Sequence, residues 1–544
     1  MRAACLVGLW CAAVCSVQAA EITADPSNAR ERLARLRAGD TLVLKAGTYR
    51  MTFDLRNRNG EADRPIVIRS ESPTARAVLK GSDVLTGWTD LGNGMYSHGL
   101  GVQPSMVFVD GKRLAQLGGT IFNGYPVLDN TGYERLHANE GGIWPGRVSS
   151  FDRDNLPLNS FYYDALASRV VVRVNGDLNA AGRMVEVSQR ERVVFAENVR
   201  YLTVQDVDVA HANTSVTNRG GALTLLGQHI TVKGVKAYYN DLVGLQVDGD
   251  YNLIEDSVST YNGQMGVAAR GSYNLLQRVE SSYNNIRGFN TWWEAGGYKF
   301  VSESGGLQNS KLVACKAIAN QGDGIWFDWK NKGNVVRDSV SAYNKGFGIH
   351  YEASSHATIE NNYVFGNGLR GIYLPHSRAN VVTHNVVVGN ALEGMVAVSE
   401  GRKDNEGRPF EVDGNVFAAN VVAWNGSGSL IVPPKVRSVA DGNVYVGQGI
   451  AQRFSLGWTS VLNLPVHGVG EWRKLSGLDG HSVSRTDPMP ANLKRLLDSR
   501  STDLSQFADL LASARRDMAA QPSGWATGDL QAVPQVYVPG PVAQ

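Results

Sequence analysis

An Asn-x-x-x-Gly pair recurs at Asn240/Gly244, Asn262/Gly266, Asn284/Gly288, Asn320/Gly324, Asn344/Gly348, Asn367/Gly371 and Asn390/Gly394, at intervals of 22, 22, 36, 24, 23 and 23 residues. Each Gly is followed by a short phrase: LQVD, VAAR, FNTW, IWFD, IHYE, IYLP, MVAV. A second apolar run then follows, as in NLIEDSVS, NLLQRVES, NVVRDSVS and NVVTHNVVV. A period of this length marks a solenoid. The apolar residues alternate and form no stripe at 3.6 spacing, so the units are short strands with fixed turns. An all-β parallel β-helix is the expected fold. At a tight bend the Asn amide can bond both its own backbone and the Asn one coil above, making a ladder. Gly is expected to supply unusual backbone angles beside it.

Alternation assigns the faces. Leu245/Val247, Val267/Ala269, Phe289/Thr291, Ile325/Phe327, Ile349/Tyr351, Ile372/Leu374 and Met395/Ala397 point inward. One outward column then reads Gln246, Ala268, Asn290, Trp326, His350, Tyr373, Val396. Its neighbour reads Asp248, Arg270, Trp292, Asp328, Glu352, Pro375, Val398. Both become aromatic and ionisable between Trp292 and Tyr373, which is where a site belongs.

Neighbouring coils lie one strand spacing apart, roughly 4.8 Å, so matching outward side chains are about 5 Å apart. A carboxylate pair at about 5–5.5 Å suits a retaining glycosidase, one acid as nucleophile and the other as acid/base. Asp328 and Glu352 meet that requirement as the acids of GIWFD and GIHYE. Like charges so close push one pKa upward, as a general acid requires. Trp292, Trp326 and Trp329 offer flat apolar faces for sugar rings, while His350 and Tyr373 offer hydrogen-bonding edges. The 36-residue interval holds NTWWEAGGYKFVSESGG, a loop bringing Trp293, Glu294 and Lys299 beside the columns. An outward acid on a solenoid is most often merely solvated; a stacked pair flanked by Trp and His is harder to explain that way. No His/Cys cluster has zinc spacing, and no metal or organic cofactor is expected. The charged run GRKDNEGRPFEVDGN reads as a surface loop.

Outside the repeat, residues 20–104 are expected to be an N-terminal cap and first coils, covering the open end of the helix. Residues 105–185 break the period and read as an inserted antiparallel β subdomain. The site-bearing helix spans 186–450, and 451–544 form a partly helical C-terminal cap and tail. Residues 1–19, with Arg2, a short apolar run and VQA before the cut, form a secretory signal peptide. The apolar run is too short to span a bilayer. A periplasmic or secreted, monomeric protein is expected. Three of the four cysteines leave with the leader, and Cys315 reads as a small buried residue. With 53 basic and 51 acidic residues, no bulk field points to nucleic acid.

In order, WWEAGGYKF, GDGIWFD and GFGIHYEAS resemble the secreted right-handed parallel β-helix glycoside hydrolases that include the β-helix β-xylosidases, within the pectin-lyase-like superfamily. Those enzymes also carry a β-sandwich-like subdomain inserted in the solenoid. The resemblance implies that Asp328 is the nucleophile and Glu352 the acid/base, with Glu294 binding sugar hydroxyls; it does not extend to the choice of sugar. Solenoids of this kind also host lyases, epimerases and non-catalytic proteins. A lyase or C5-epimerase acting on a uronic-acid-containing polysaccharide, with Lys299, His350 or Tyr351 as base, is the alternative; a binding solenoid without turnover is a third.

Overall fold

The structure is a computed structural model. It describes residues 19–117, 152–214, 220–292, 294–302, 305–434 and 437–520, with the backbone of 120–122 and 125–126. Residues 1–18, where the leader is expected, Trp293, most of 118–151 and residues 521–544 lie outside the described residues.

Three long sheets wrap one core, with 13, 13 and 14 strands among the described residues. A typical coil gives one strand to each: Asp323–Asp328, Val335–Arg337 and Val340–Ala342. The next coil stacks on it in parallel with Ile349–Glu352, Thr358–Glu360 and Tyr363–Phe365. The expected inward residues are buried: Leu245, Val247, Val267, Ile325, Phe327, Ile349, Tyr351, Ile372, Leu374 and Met395 are at most 1% exposed.

The Asn ladder is continuous. Each Nδ2 donates to the Oδ1 one coil on, from Asn240 through Asn262, Asn284, Asn320, Asn344, Asn367 and Asn390 to Asn425, at 2.9–3.0 Å. Amides buried at a bend thus satisfy one another instead of being stranded without water. The glycine expectation needs correction. Gly244, Gly266, Gly324, Gly348, Gly371 and Gly394 do not adopt left-handed angles. Their constraint is space: a Cβ at Gly324 would collide with Ser341 Oγ and Asn344 Nδ2. The left-handed residue is the one before each Asn, for example Tyr261, Ala319 and Tyr343 at φ 53°, 52° and 58°.

The 36-residue coil also departs from expectation. Asn284 keeps its place in the ladder, but the strand above it is Gly296–Phe300, not the phrase after Gly288. Ala268 pairs with Lys299, and Lys299 with Trp326. Tyr298 and Phe300 fill the inward positions assigned to Phe289 and Thr291. Residues 285–292 belong to no strand and their Gly288 imitates the repeat, while Gly297 occupies the crowded position.

The inserted subdomain starts earlier than residue 105. Antiparallel pairing runs from Ser82–Val84 against Val185–Ser188 through Thr89–Gly92, Met95–Gly99, Ser160–Asp164 and Arg169–Arg173. A strand such as MYSHG is half-buried whichever partner it takes, so its sequence does not reveal its sheet. Trp88, Tyr96, Phe161, Val172 and Val187 give this unit its own core. At the C-terminus, helix Val469–Ser476 closes the last coil through fully buried Trp472, stacked on Phe454. Helices Ala491–Asp498 and Ala508–Ala519 cover the side of the solenoid, laying Leu493, Leu496, Leu510 and Leu511 over Tyr363, Phe365 and Val388. Cys315 is buried, which pushes its thiol up to about 11 and leaves it inert. No helix among the described residues is long and apolar enough to cross a membrane.

Candidate active site

Strands Asp323–Asp328 and Ile349–Glu352 carry the two acids in register, Asp328 beside Glu352 and Trp326 beside His350. The side chains leave the barrel, yet they are not open to solvent. Trp326 and His350 are 4% exposed and Asp328 is 8% exposed, while Glu352 is half-buried. Arg402, from the irregular stretch 399–411, covers the two acids, Lys299 covers the face of Trp326, and Tyr373 and Phe347 pack on His350.

The charged run holds the residue that matters most here and that its sequence did not mark. Arg402 Nη1 lies 2.7 Å from Asp328 Oδ1 and also contacts Glu352 Oε1. One nitrogen touching both carboxylates keeps those oxygens within two hydrogen-bond lengths of each other. Its guanidinium lies over Trp329, which meets Phe410 edge-on. On the other side of Asp328, Lys299 Nζ contacts Oδ2 at 3.0 Å and rests against the face of Trp326. Burial raises the Asp328 carboxyl, but Lys299 and Arg402 more than offset it and hold the group below the ordinary carboxylate range. Asp328 is therefore an ionised carboxylate at neutral pH. The repulsion expected between two stacked acids is relieved by the cation between them.

Glu352 is gripped differently. Trp326 Nε1–H donates to Oε2 at 3.2 Å, and His350 Nε2 lies 3.5 Å from the same oxygen. His350 Nδ1 is 2.9 Å from Asp323 Oδ2, and Asp323 Oδ1 accepts the Phe347 N–H. Asp323, absent from the sequence reading, thus fixes the ring that faces Glu352. His350 is sandwiched between Trp326 and Tyr373, at 4.9 and 5.1 Å between ring centres. Both its edges are occupied by protein, so it contacts the acid rather than offering a free edge. Tyr373 is likewise engaged: it packs with Phe347, Val396 and Val398 and donates its hydroxyl to Glu400 Oε1. Burial raises its phenol far above the ordinary range.

Trp292 is not in the column but in the loop, 57% exposed, with its edge against Phe347. Glu294 and Lys299 line one small cavity with Gln246, Gln264, Ala268 and Arg270. A larger cavity of about 650 Å³ adjoins the pair, bounded by Trp329 and Arg402 at one end and Arg192, Thr224, Gln246, Asp248 and Arg270 further along. Tyr351, an alternative base in the sequence reading, is fully buried in the core and its phenol is raised by burial.

Residues 220–403 match the family model described as a right handed beta helix region. The solved complex of XylC with xylose superimposes with a TM-score of 0.55 at 11% identity, over 87% of each chain. That shared path settles the architecture. The chain is folded as a right-handed parallel β-helix. A structure named only as a glycoside hydrolase aligns at a TM-score of 0.47 and 11% identity, over 90% of this chain and 100% of its own. A mannuronic acid specific family 6 lyase from human gut microbiota aligns at 0.40 and 12% identity, over 92% and 98%. No curated protein matches the sequence. At these identities the likeness speaks of the β-helix and not of its chemistry.

Proposed function

We propose that this β-helix is a retaining glycoside hydrolase, exported and acting on a poly- or oligosaccharide, with Asp328 as nucleophile and Glu352 as acid/base. The observation that carries the reading is the register of the two acids on adjacent strands, bridged by one guanidinium nitrogen. A separation of about one strand spacing fits the double-displacement geometry, whereas an inverting pair needs room for a water between the acids. Asp328, held ionised by Lys299 and Arg402, attacks the anomeric carbon while Glu352 protonates the leaving oxygen. Glu352 then takes a proton from water, which releases the sugar with its configuration kept. Trp326 and His350 keep Glu352 aimed at that oxygen. Arg402 lies where the scissile bond must pass, so the 399–411 segment has to withdraw as substrate enters. Glu294 and exposed Trp292 would meet the sugar from the loop.

The lyase alternative is the less supported. It needs a free base beside a sugar carboxylate, yet Tyr351 belongs to the core, Lys299 is ion-paired with Asp328, and His350 is buried between Asp323 and Glu352. The test is a screen on aryl glycosides and polysaccharides with products identified by mass. Hydrolysis adds one water to each cleaved bond; an unsaturated, ultraviolet-absorbing product would establish the lyase instead.

A further inference from the structure

The 650 Å³ cavity extends away from the acid pair toward the N-terminal coils. From the strand of Asp328, back through those of Phe300 and Arg270 to that of Asp248, is three strand spacings, roughly 14 Å. A glycan lying along the sheet would therefore reach this cavity several sugars from the bond being cut.

Its walls carry polar atoms with nothing to bind. Gln246 is 4% exposed; its Nε2 donates to Asp248 Oδ2 at 2.7 Å, while Gln246 Oε1 and Asp248 Oδ1 are buried without a hydrogen-bond partner. Stranded acceptors of this kind are unfavourable unless a donor arrives. The cations are also uneven. Arg402 is engaged by the acid pair, and Arg270 approaches Asp248 only to 3.8 Å while its Nε–H goes to Val301 O. Arg192 lies over the Phe195 ring at 4.1 Å, and among the described residues no carboxylate pairs with it. Its Nε is buried without a partner. A half-buried guanidinium lacking a counter-ion and two acceptors lacking donors are complementary to an anionic group and to hydroxyls, respectively.

We infer that this cavity is a distal subsite for an acidic sugar, its carboxylate or sulfate held by Arg192 and Arg270 and its hydroxyls by Gln246 Oε1 and Asp248 Oδ1. The inference deepens the proposed hydrolase reading and rests on it for the direction of the glycan: the substrate is an oligosaccharide carrying negative charge several units from the scissile bond.

Binding and turnover separate the two. Titration calorimetry of the full chain would compare tetragalacturonate, its methyl ester and a sulfated carrageenan tetrasaccharide, with Arg192→Gln and Arg192→Lys as variants. One of the two anions should bind at least about tenfold tighter than the neutral ester, and the tighter one identifies the group. Arg192→Gln should remove the difference, and Arg192→Lys, which keeps the charge, should retain part of it. Equal affinity for acid and ester, or a preference unmoved in Arg192→Gln while that variant melts like the parent, overturns the subsite. Failure of the hydrolase reading would show elsewhere, as wild-type protein that cleaves no glycoside.

Discussion

Two columns of side chains climb the same solenoid under opposite rules. In the turn column every coil repeats one residue, from Asn240 to Asn425, and each amide satisfies the next. In the strand column no residue repeats: Gln246, Ala268, Lys299, Trp326, His350 and Tyr373 follow one another. Repetition serves stability, because identical neighbours one strand spacing apart can be identical partners. Departure from it is where the proposed chemistry lies: coil stacking puts Asp328 beside Glu352, and breaks in the repeat supply the cations that contact them. Lys299 lies within the longest interval, and Arg402 sits in a loop belonging to no strand. The rigid part of the molecule sets the spacing of the acids, and the irregular part sets their environment.

The sharpest way to separate the columns is to truncate one member of each. Asp328→Ala should lower turnover of every substrate by more than about 10⁴-fold, since no glycosyl-enzyme can form, with the melting curve still cooperative. Loss of folding instead would place Asp328 with the ladder. Glu352→Ala should cost about 10²–10⁴-fold on substrates with poor leaving groups and much less on activated aryl glycosides, which need little protonation. Added azide should restore turnover in that variant, because it needs no general base, and kinetics with graded leaving groups would show it. Asn344→Ala is the converse. It strands Asn320 and Asn367 along with Ala317 O, so about 2–4 kcal/mol of stability should go, while folded molecules turn over as before. A loss of activity with an unchanged denaturation midpoint would contradict the division. The smallest effect is expected of Arg402→Ala. Removing one of the cations that depress Asp328 should move the acid limb of kcat/KM to higher pH, by less than about one unit. A limb moving to lower pH would mean that Arg402 does not act on the nucleophile.

The ladder and the inward-facing residues were legible in the sequence because each recurs, and recurrence over seven coils outweighs the ambiguity of any single strand. The register of Asp328 with Glu352 followed from the same count. Lys299 was misplaced because Asn284 and Gly288 reproduce the spacing of a normal coil, while the tight packing that demands a glycine falls at Gly297. Asp323 carried little signal, one acid before one glycine. Arg402 carried none, since a charged loop has no period and its reach over the sheet depends on tertiary folding. Nor did alternation reveal that the outward aromatics are covered: it tells which side of a strand a residue takes, not what lies above that side.

The central claim is that coil stacking builds a double-displacement pair from Asp328 and Glu352. The most direct test follows the first-formed sugar by proton NMR during cleavage of an aryl glycoside by the wild-type protein, before the anomers equilibrate. Two displacements at adjacent-coil spacing predict a product of the same anomeric configuration as the substrate. The opposite anomer as first product would mean a water held between more distant groups, and would remove Asp328 and Glu352 as nucleophile and acid/base.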